Sequence, residues 1–238
     1  MRVDAIKTRV FEEGENLPAF VFEHVKKLKE GSILVITSKI VALAQGRVAK
    51  IENLRTKDEL IKKESEVAIP TKYVWLTVKD GMVMSSAGID ESNAKDGTLI
   101  LLPKNSYKVA AGLRTALMKM FQLKNLGLLI TDSRTAPFRS GVTGVAMGYA
   151  GFKGLKSYVG KKDLFGRKFK FSRTNVADNL ASAAVLVMGE GNESKPLAVI
   201  ENCPVVFSEK VFKNELRIDP MVDMYAPLFE HLNRKRRS

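Results

Sequence analysis

Four short apolar runs limit this chain more than any other feature: "SILVITS" at 32–38, "GTLILLPKN" at 97–105, "LGLLITD" at 126–132 and "LAVIENCPVVF" at 197–207. Each has the length of a buried strand and is bounded by turn formers or polar residues. None approaches the roughly 20 apolar residues of a membrane helix. A fifth segment, "KYVWLTVKDG", alternates like a half-buried strand closed by a turn.

Between these runs the period changes to that of a helix. "LPAFVFEHVKKL" sets Leu17, Phe20, Val21, Val25 and Leu28 on one face and stops at Gly31. "SYKVAAGLRTALMKMF" does the same with Val109, Ala110, Leu113, Leu117 and Met120 after a Ser106 cap. "TNVADNLASAAVLVMGEG" aligns Val176, Leu180, Ala183, Ala184 and Val187 and ends in the glycines Gly189 and Gly191. Strands and helices mix without regular alternation, which predicts an α+β fold of mixed sheets and helices rather than a doubly wound sheet. No repeat or low-complexity linker divides residues 1–238, so the chain reads as one unit. Glycines and basic residues between Gly141 and Gly166 predict a long irregular excursion.

Cys203 stands alone, so no internal disulfide forms, and its apolar neighbours suit a small buried thiol. One Cys and two distant His residues argue against zinc, and His24 reads as a packed or exposed histidine. "MRVDAIKTRV" lacks the apolar core of a secretory signal, and the cytoplasm is the expected compartment. The net charge of +13 points to a polyanionic partner, either nucleic acid or phosphorylated small molecules, without choosing between them. The "NRKRRS" terminus, with Arg234 to Ser238 as a basic tail, reads as a solvated end.

Chemistry concentrates in acidic loops beside apolar segments: Asp90 in "GIDESN", Asp132 at the end of "LLITD" and Glu190 in "MGEGNE". Carboxylates so placed suit magnesium or manganese bridging phosphates to protein. Spacing equally allows Asp90 and Asp132 to be turn residues bonded to local backbone. There is neither a GxxxxGK[ST] loop nor a GxGxxG after a strand. Gly141, Gly144, Gly148 and Gly151 could admit a phosphate to backbone amides or allow tight packing.

Eight segments, in order, resemble the coenzyme F420-0:L-glutamate ligases, or gamma-glutamyl ligases: "GSILVITSKIVALAQGRV", "GIDESN", "LLP", "LLITDS", "RSGVTGVAMGYAGF", "DLFGR", "NVADNLASAAVLVMGE" and "PLAVI". The resemblance implies an uncommon two-lobed α+β topology and a homodimer. It implies Mn2+ or Mg2+ held by Asp90, Asp132, Ser133 and Glu190, with potassium a further candidate. GTP or ATP would be contacted by Thr8, Arg9, Val10, Phe11, Ser38, Lys39, Asn93 and the loop Met188, Gly189, Glu190, Gly191, Asn192, Glu193, Ser194 and Lys195. Arg134 and Arg139 could meet the acceptor or phosphates, or face solvent.

The reaction so implied is amide formation through an acyl phosphate, with L-glutamate supplying the amine to a small acceptor carboxylate. No protein nucleophile is required. Two departures stand out: Leu43 in "ALAQGR" replaces a nucleotide-contacting lysine, and "TDSRTAPFRSG" differs from the usual sequence after the metal-binding acid. A folate acceptor is therefore the alternative to coenzyme F420-0. Nucleic-acid binding on a degenerate ligase scaffold is the less favoured alternative from another class, and no membrane partner is expected.

Overall fold

In this computed structural model, residues 1–50, 53–94, 97–210 and 213–229 are described, and the basic segment 234–238 lies outside them. In chain order the elements are β1 (Arg2–Ile6), α1 (Leu17–His24), β2 (Ser32–Thr37), α2 (Ser38–Ala44), β3 (Val48–Lys50), α3 (Leu54–Glu64), β4 (Val67–Pro70), β5 (Trp75–Lys79) and β6 (Met82–Ser85). Then follow β7 (Thr98–Ile100), α4 (Ser106–Phe121), β8 (Leu126–Thr135), β9 (Val142–Ala150), β10 (Leu155–Ser157), β11 (Arg173–Asn175), α5 (Val176–Met188) and β12 (Leu197–Glu201). The fold is α+β.

Three of the apolar runs become neighbours in a five-stranded sheet ordered β1-β12-β2-β8-β9. Only β2 and β8 run parallel; the other neighbours are antiparallel. Continuous apolar runs follow from cover on both faces. On one face, Leu34, Ile36, Leu128 and Ile130 pack with Phe20 and Val21 of α1, Val41 of α2 and Leu113 and Leu117 of α4. On the other, Ile33, Val35, Leu129 and Ala146 meet Leu180, Ala181 and Ala184 of α5. Each large side chain so buried stabilises the fold by about 1.5–3 kcal/mol relative to exposure. The fourth run pairs elsewhere, because β7 forms a two-stranded ladder with β3. A separate three-stranded sheet is ordered β4-β5-β6.

The glycine-rich stretch corrects one expectation: residues 142–150 are strand β9, and irregular chain begins only after it. Gly144 and Gly148 are sites of close packing. A Cβ on Gly144 would lie 2.3 Å from the Ala181 carbonyl oxygen of α5, and one on Gly148 would lie 2.6 Å from the backbone at the start of α4. The same approach explains why the buried face of α5 is Ala177, Leu180, Ala181, Ala184 and Met188, turned from the predicted one. A strand that comes this near accepts alanines and excludes Val187, which is 37% exposed.

Two helix limits and one helix face also differ from expectation. α1 ends at His24, although Val25 and Leu28 remain buried beyond it. α4 is preceded by Asn105 in the left-handed region, which makes Ser106 the first helical residue rather than the cap. On its buried face Met120 is replaced by Arg114, whose Nε donates to the Leu126 carbonyl at 2.6 Å and whose two terminal nitrogens reach Glu209 at 2.8 and 2.6 Å.

Candidate functional site

The parallel pairing of β2 and β8 puts Thr37 opposite Thr131. It therefore sets the next residues of both strands, Ser38 with Lys39 and Asp132 with Ser133, at one end of the sheet. Ser38 and Lys39 are not a strand end, as the sequence suggests, but the first residues of α2. A β-bulge lies between Ile130 and Thr131: Ile130 faces Gly148, Thr131 faces Ala146, and Met147 has no opposite number. Bulges re-aim side chains, and here Met147 lines the same cleft as Asp132.

The opposite wall is built by a strained turn. Ser86, Ala87 and Gly88 all have positive φ, at 46°, 56° and 66°. Left-handed geometry at non-glycine residues costs about 1–2 kcal/mol each. Buried Thr77 supports the turn, accepting from the Ala87 N–H at 2.8 Å and donating to the Met84 carbonyl at 2.8 Å. Asp90 follows, its backbone exchanging two hydrogen bonds of 2.9 Å with Ile100. The carboxylate is thereby aimed across the cleft from a clamped backbone.

The two carboxyl groups differ in surroundings. Asp90 accepts from the Ser92 N–H at 2.7 Å and the Ser92 hydroxyl at 3.0 Å, and lies 2.8 Å from the Lys39 ammonium. Burial works against its ionisation, but the Lys39 hydrogen bond and charge, with the Ser92 donors, outweigh it and hold the carboxyl below its ordinary value. Among the described residues, Asp132 accepts from the Ser133 N–H, at 2.8 Å, and from the Ser38 hydroxyl. Burial dominates there and pushes its pKa up to about 6. Both line a cleft of about 220 Å3 with Ser38, Lys39, Ser133 and Arg134.

Further contacts draw in the distant segments. The Ser133 hydroxyl donates to Glu190 at 3.1 Å, the Asn93 amide to the Gly191 carbonyl at 3.0 Å, and the Thr8 N–H to the Ser194 carbonyl at 2.9 Å. In the late loop the Gly191 N–H donates to Glu193 at 2.8 Å. The segments around residues 8, 38, 90, 132 and 190, scattered along the sequence, are thus linked in one region.

Some residues of those segments face elsewhere. Phe11 and Met188 are buried in the two cores. The Arg9 guanidinium is held by Glu15, twice at 2.8 Å, and by Glu23, while Val10 is exposed. Arg134 lines the cleft 3.9 Å from Asp178, whereas Arg139 is exposed in the β8–β9 turn. Leu43 packs partly buried against the larger core and does not line this cleft. The cleft also has an apolar floor of Met82, Met84, Val145 and Met147 that the sequence reading overlooked. The two-residue spacing of Met82 and Met84 on β6 is the local signal for their shared face.

Asp90, Asp132, Ser133 and Glu190 supply the hard oxygen donors that magnesium or manganese takes. Among the described residues, no three acidic, Cys or His side chains already form a metal-sized cluster. The Lys39 ammonium instead stands against Asp90. Asp90, Asp132 and Ser133 line one cleft and Glu190 is tied to it through Ser133; the donors fit a divalent cation in type, and the cationic charge now placed among them is a side chain.

Fold and cleft define an α+β protein with an acid-lined, partly apolar cleft at the end of a parallel strand pair. The model of the F420-0:Gamma-glutamyl ligase family matches residues 5–202, and the chain belongs to that family. It is similar to the coenzyme F420:L-glutamate ligase of Methanosarcina mazei, with 34% identity over 84% of this chain and 86% of the relative. The protein of the same name from Methanococcus maripaludis strain C7 is 35% identical over 80% and 83% of the two chains. That of Archaeoglobus fulgidus is 29% identical over 90% and 95%. No helix among the described residues is long and apolar enough to cross a membrane.

Proposed function

We propose that this protein is a glutamate ligase that joins L-glutamate by an amide bond to a small acceptor carboxylate of the coenzyme F420-0 type, at the expense of GTP or ATP and with Mn2+ or Mg2+. The observation that carries this reading is the meeting of Asp90, Asp132, Lys39 and Ser133 at one cleft in a chain of this family. Asp90, Asp132, Ser133 and Glu190 would hold the cation, whose chemistry is to neutralise phosphate charge.

The remaining steps belong to the substrates and to the chain's own residues. The acceptor carboxylate takes the terminal phosphoryl group and the nucleoside diphosphate leaves. The glutamate amine attacks the resulting acyl phosphate, loses a proton, and phosphate departs. Lys39 and Arg134, both in the cleft, are placed to meet anionic groups. The apolar floor suits the uncharged part of an acceptor and keeps water from the acyl phosphate. The loop 188–195 and Asn93 would carry the nucleotide base, and the chain would act as a homodimer in the cytoplasm. Exposed Phe138, Leu164, Phe165 and Phe171 are apolar surface available to such an interface.

The test is incubation with labelled glutamate, each nucleotide, each metal with and without potassium, and a panel of coenzyme F420-0, folates and other acceptors, with products weighed by mass spectrometry. Glutamate added to coenzyme F420-0 supports the reading. Addition only to folates moves the acceptor to the other branch. If no acceptor gains glutamate and the protein instead shows steep salt-dependent binding to random oligonucleotides, the ligase reading is wrong.

A further inference from the structure

We propose that Lys39 is a place-holder: its ammonium holds the Asp90 loop in register while no metal is bound, and a divalent cation displaces it toward the phosphates of the nucleotide. This rests on the reading of Asp90 and Asp132 as cation ligands. Its own support is the geometry of one side chain. Lys39 Nζ lies 2.8 Å from Asp90 Oδ2, 3.0 Å from the Ser92 carbonyl and 3.2 Å from the Ser92 hydroxyl. Its charge also acts favourably on the ionised Asp132. Three oxygen partners satisfy the three N–H bonds of an ammonium, so the Asp90–Ser92 corner is fully organised around a monovalent positive charge.

The arrangement has a direct consequence for a metal ion. A cation that takes Asp90 as ligand places a double positive charge beside an ammonium, and the two repel strongly in a part-buried site. Lys39 must then leave. Its side chain starts at the second residue of α2, with the chain anchored by buried Ser38 and Ile40 on either side, so the backbone stays while the four-carbon stem swings. The cleft of about 220 Å3 is lined by Arg134 as well as Lys39, and a triphosphate entering there offers the released ammonium a new anion. Metal occupancy and nucleotide contact are thereby coupled through one residue, which acts as a positioning residue rather than a chemical one.

The experiment reads the exposure of Lys39 directly. Full-length protein freed of metal by a chelator is treated with trace acetic anhydride, with and without saturating Mn2+, and acylation of Lys39 is followed by peptide mass spectrometry. Exposed Lys119 on α4 serves as the internal reference. Electron paramagnetic resonance of the Mn2+ remaining free counts the ions bound. Acylation of Lys39 is expected to rise about fivefold when Mn2+ binds, as an ion pair is lost, and to fall again when GTP is added. Lys39→Met is expected to bind Mn2+ several-fold more tightly and nucleotide more weakly, a split that loss of a purely structural contact does not give. If Mn2+ binds the wild-type protein and Lys39 acylation stays level or declines, the place-holder idea is overturned while the metal site stands. If no Mn2+ binds the wild type or the variant, the metal reading itself fails, and the place-holder with it.

Discussion

The two walls of the cleft present the same side chain under opposite conditions. Asp132 lies in a strand of the main sheet, where the ladder fixes it and partly buries it with few donors, and its carboxyl is raised to about 6. Asp90 sits on a loop between the small sheets, with Lys39 and Ser92 as partners, and is lowered. The sheet wall withholds compensation from its charge, and the loop wall supplies it. The comparison teaches that burial by itself raises a carboxyl, and that an ammonium with amide and hydroxyl donors close by reverses the sign.

The largest test of this contrast is Asp132→Asn. If Asp132 holds the cation as proposed, ligase turnover should fall more than about 100-fold, while the metal-free protein becomes more stable at pH 7.5 in denaturant titrations. Near-normal turnover, or a destabilised metal-free protein, would break the comparison. Next comes Gly144→Ala, which tests the rigidity of the sheet wall. A Cβ 2.3 Å from the Ala181 carbonyl must push α5 aside, and a loss of about 3 kcal/mol or more is expected in thermal or chemical unfolding.

A pH series on the metal-free wild type sharpens the sign. A carboxyl raised from its ordinary value of about 3.9 to about 6 favours the folded state fully below pH 4, where it is protonated in both states. That contribution is lost as pH rises through 6, by up to about 3 kcal/mol for a shift of about two units. Unfolding curves of the wild type should show the loss between pH 4 and 7, and those of Asp132→Asn should lack it. The smallest effect is Asp90→Asn, opposite in sign. A lowered carboxyl stabilises above its unfolded value, so its removal should cost about 1 kcal/mol at pH 7 for a partly exposed pair. A stabilised Asp90→Asn protein would erase the distinction between the walls.

Much of the main sheet was legible in the sequence, because strands covered on both faces leave continuous apolar runs such as "SILVIT" and "LGLLIT". The helices α4 and α5 were legible for the same kind of reason, a repeating apolar stripe. Their rotation was not. Which stripe faces the sheet depends on how near the strand comes, and that is decided by Gly144 and Gly148 against backbone 37 or more residues away in sequence. The strand β9 was missed because glycines favour irregular chain locally, while its ladder with β8 overrides that preference.

In the candidate site, residue types and motif order pointed to Asp90, Asp132, Ser38, Lys39 and Glu190, which the fold brings into one region. They could not show that Lys39 pairs with Asp90, that Leu43 turns into the core, or that Arg9 is taken up by Glu15 and Glu23. Alone, the sequence determined composition, the buried strands and the family resemblance, since these depend on nearest neighbours and on period. Tertiary structure decided the state of each charge. An ion pair or a buried carboxylate is a matter of distance and dielectric between segments far apart in the chain, and those quantities exist only once the chain has folded.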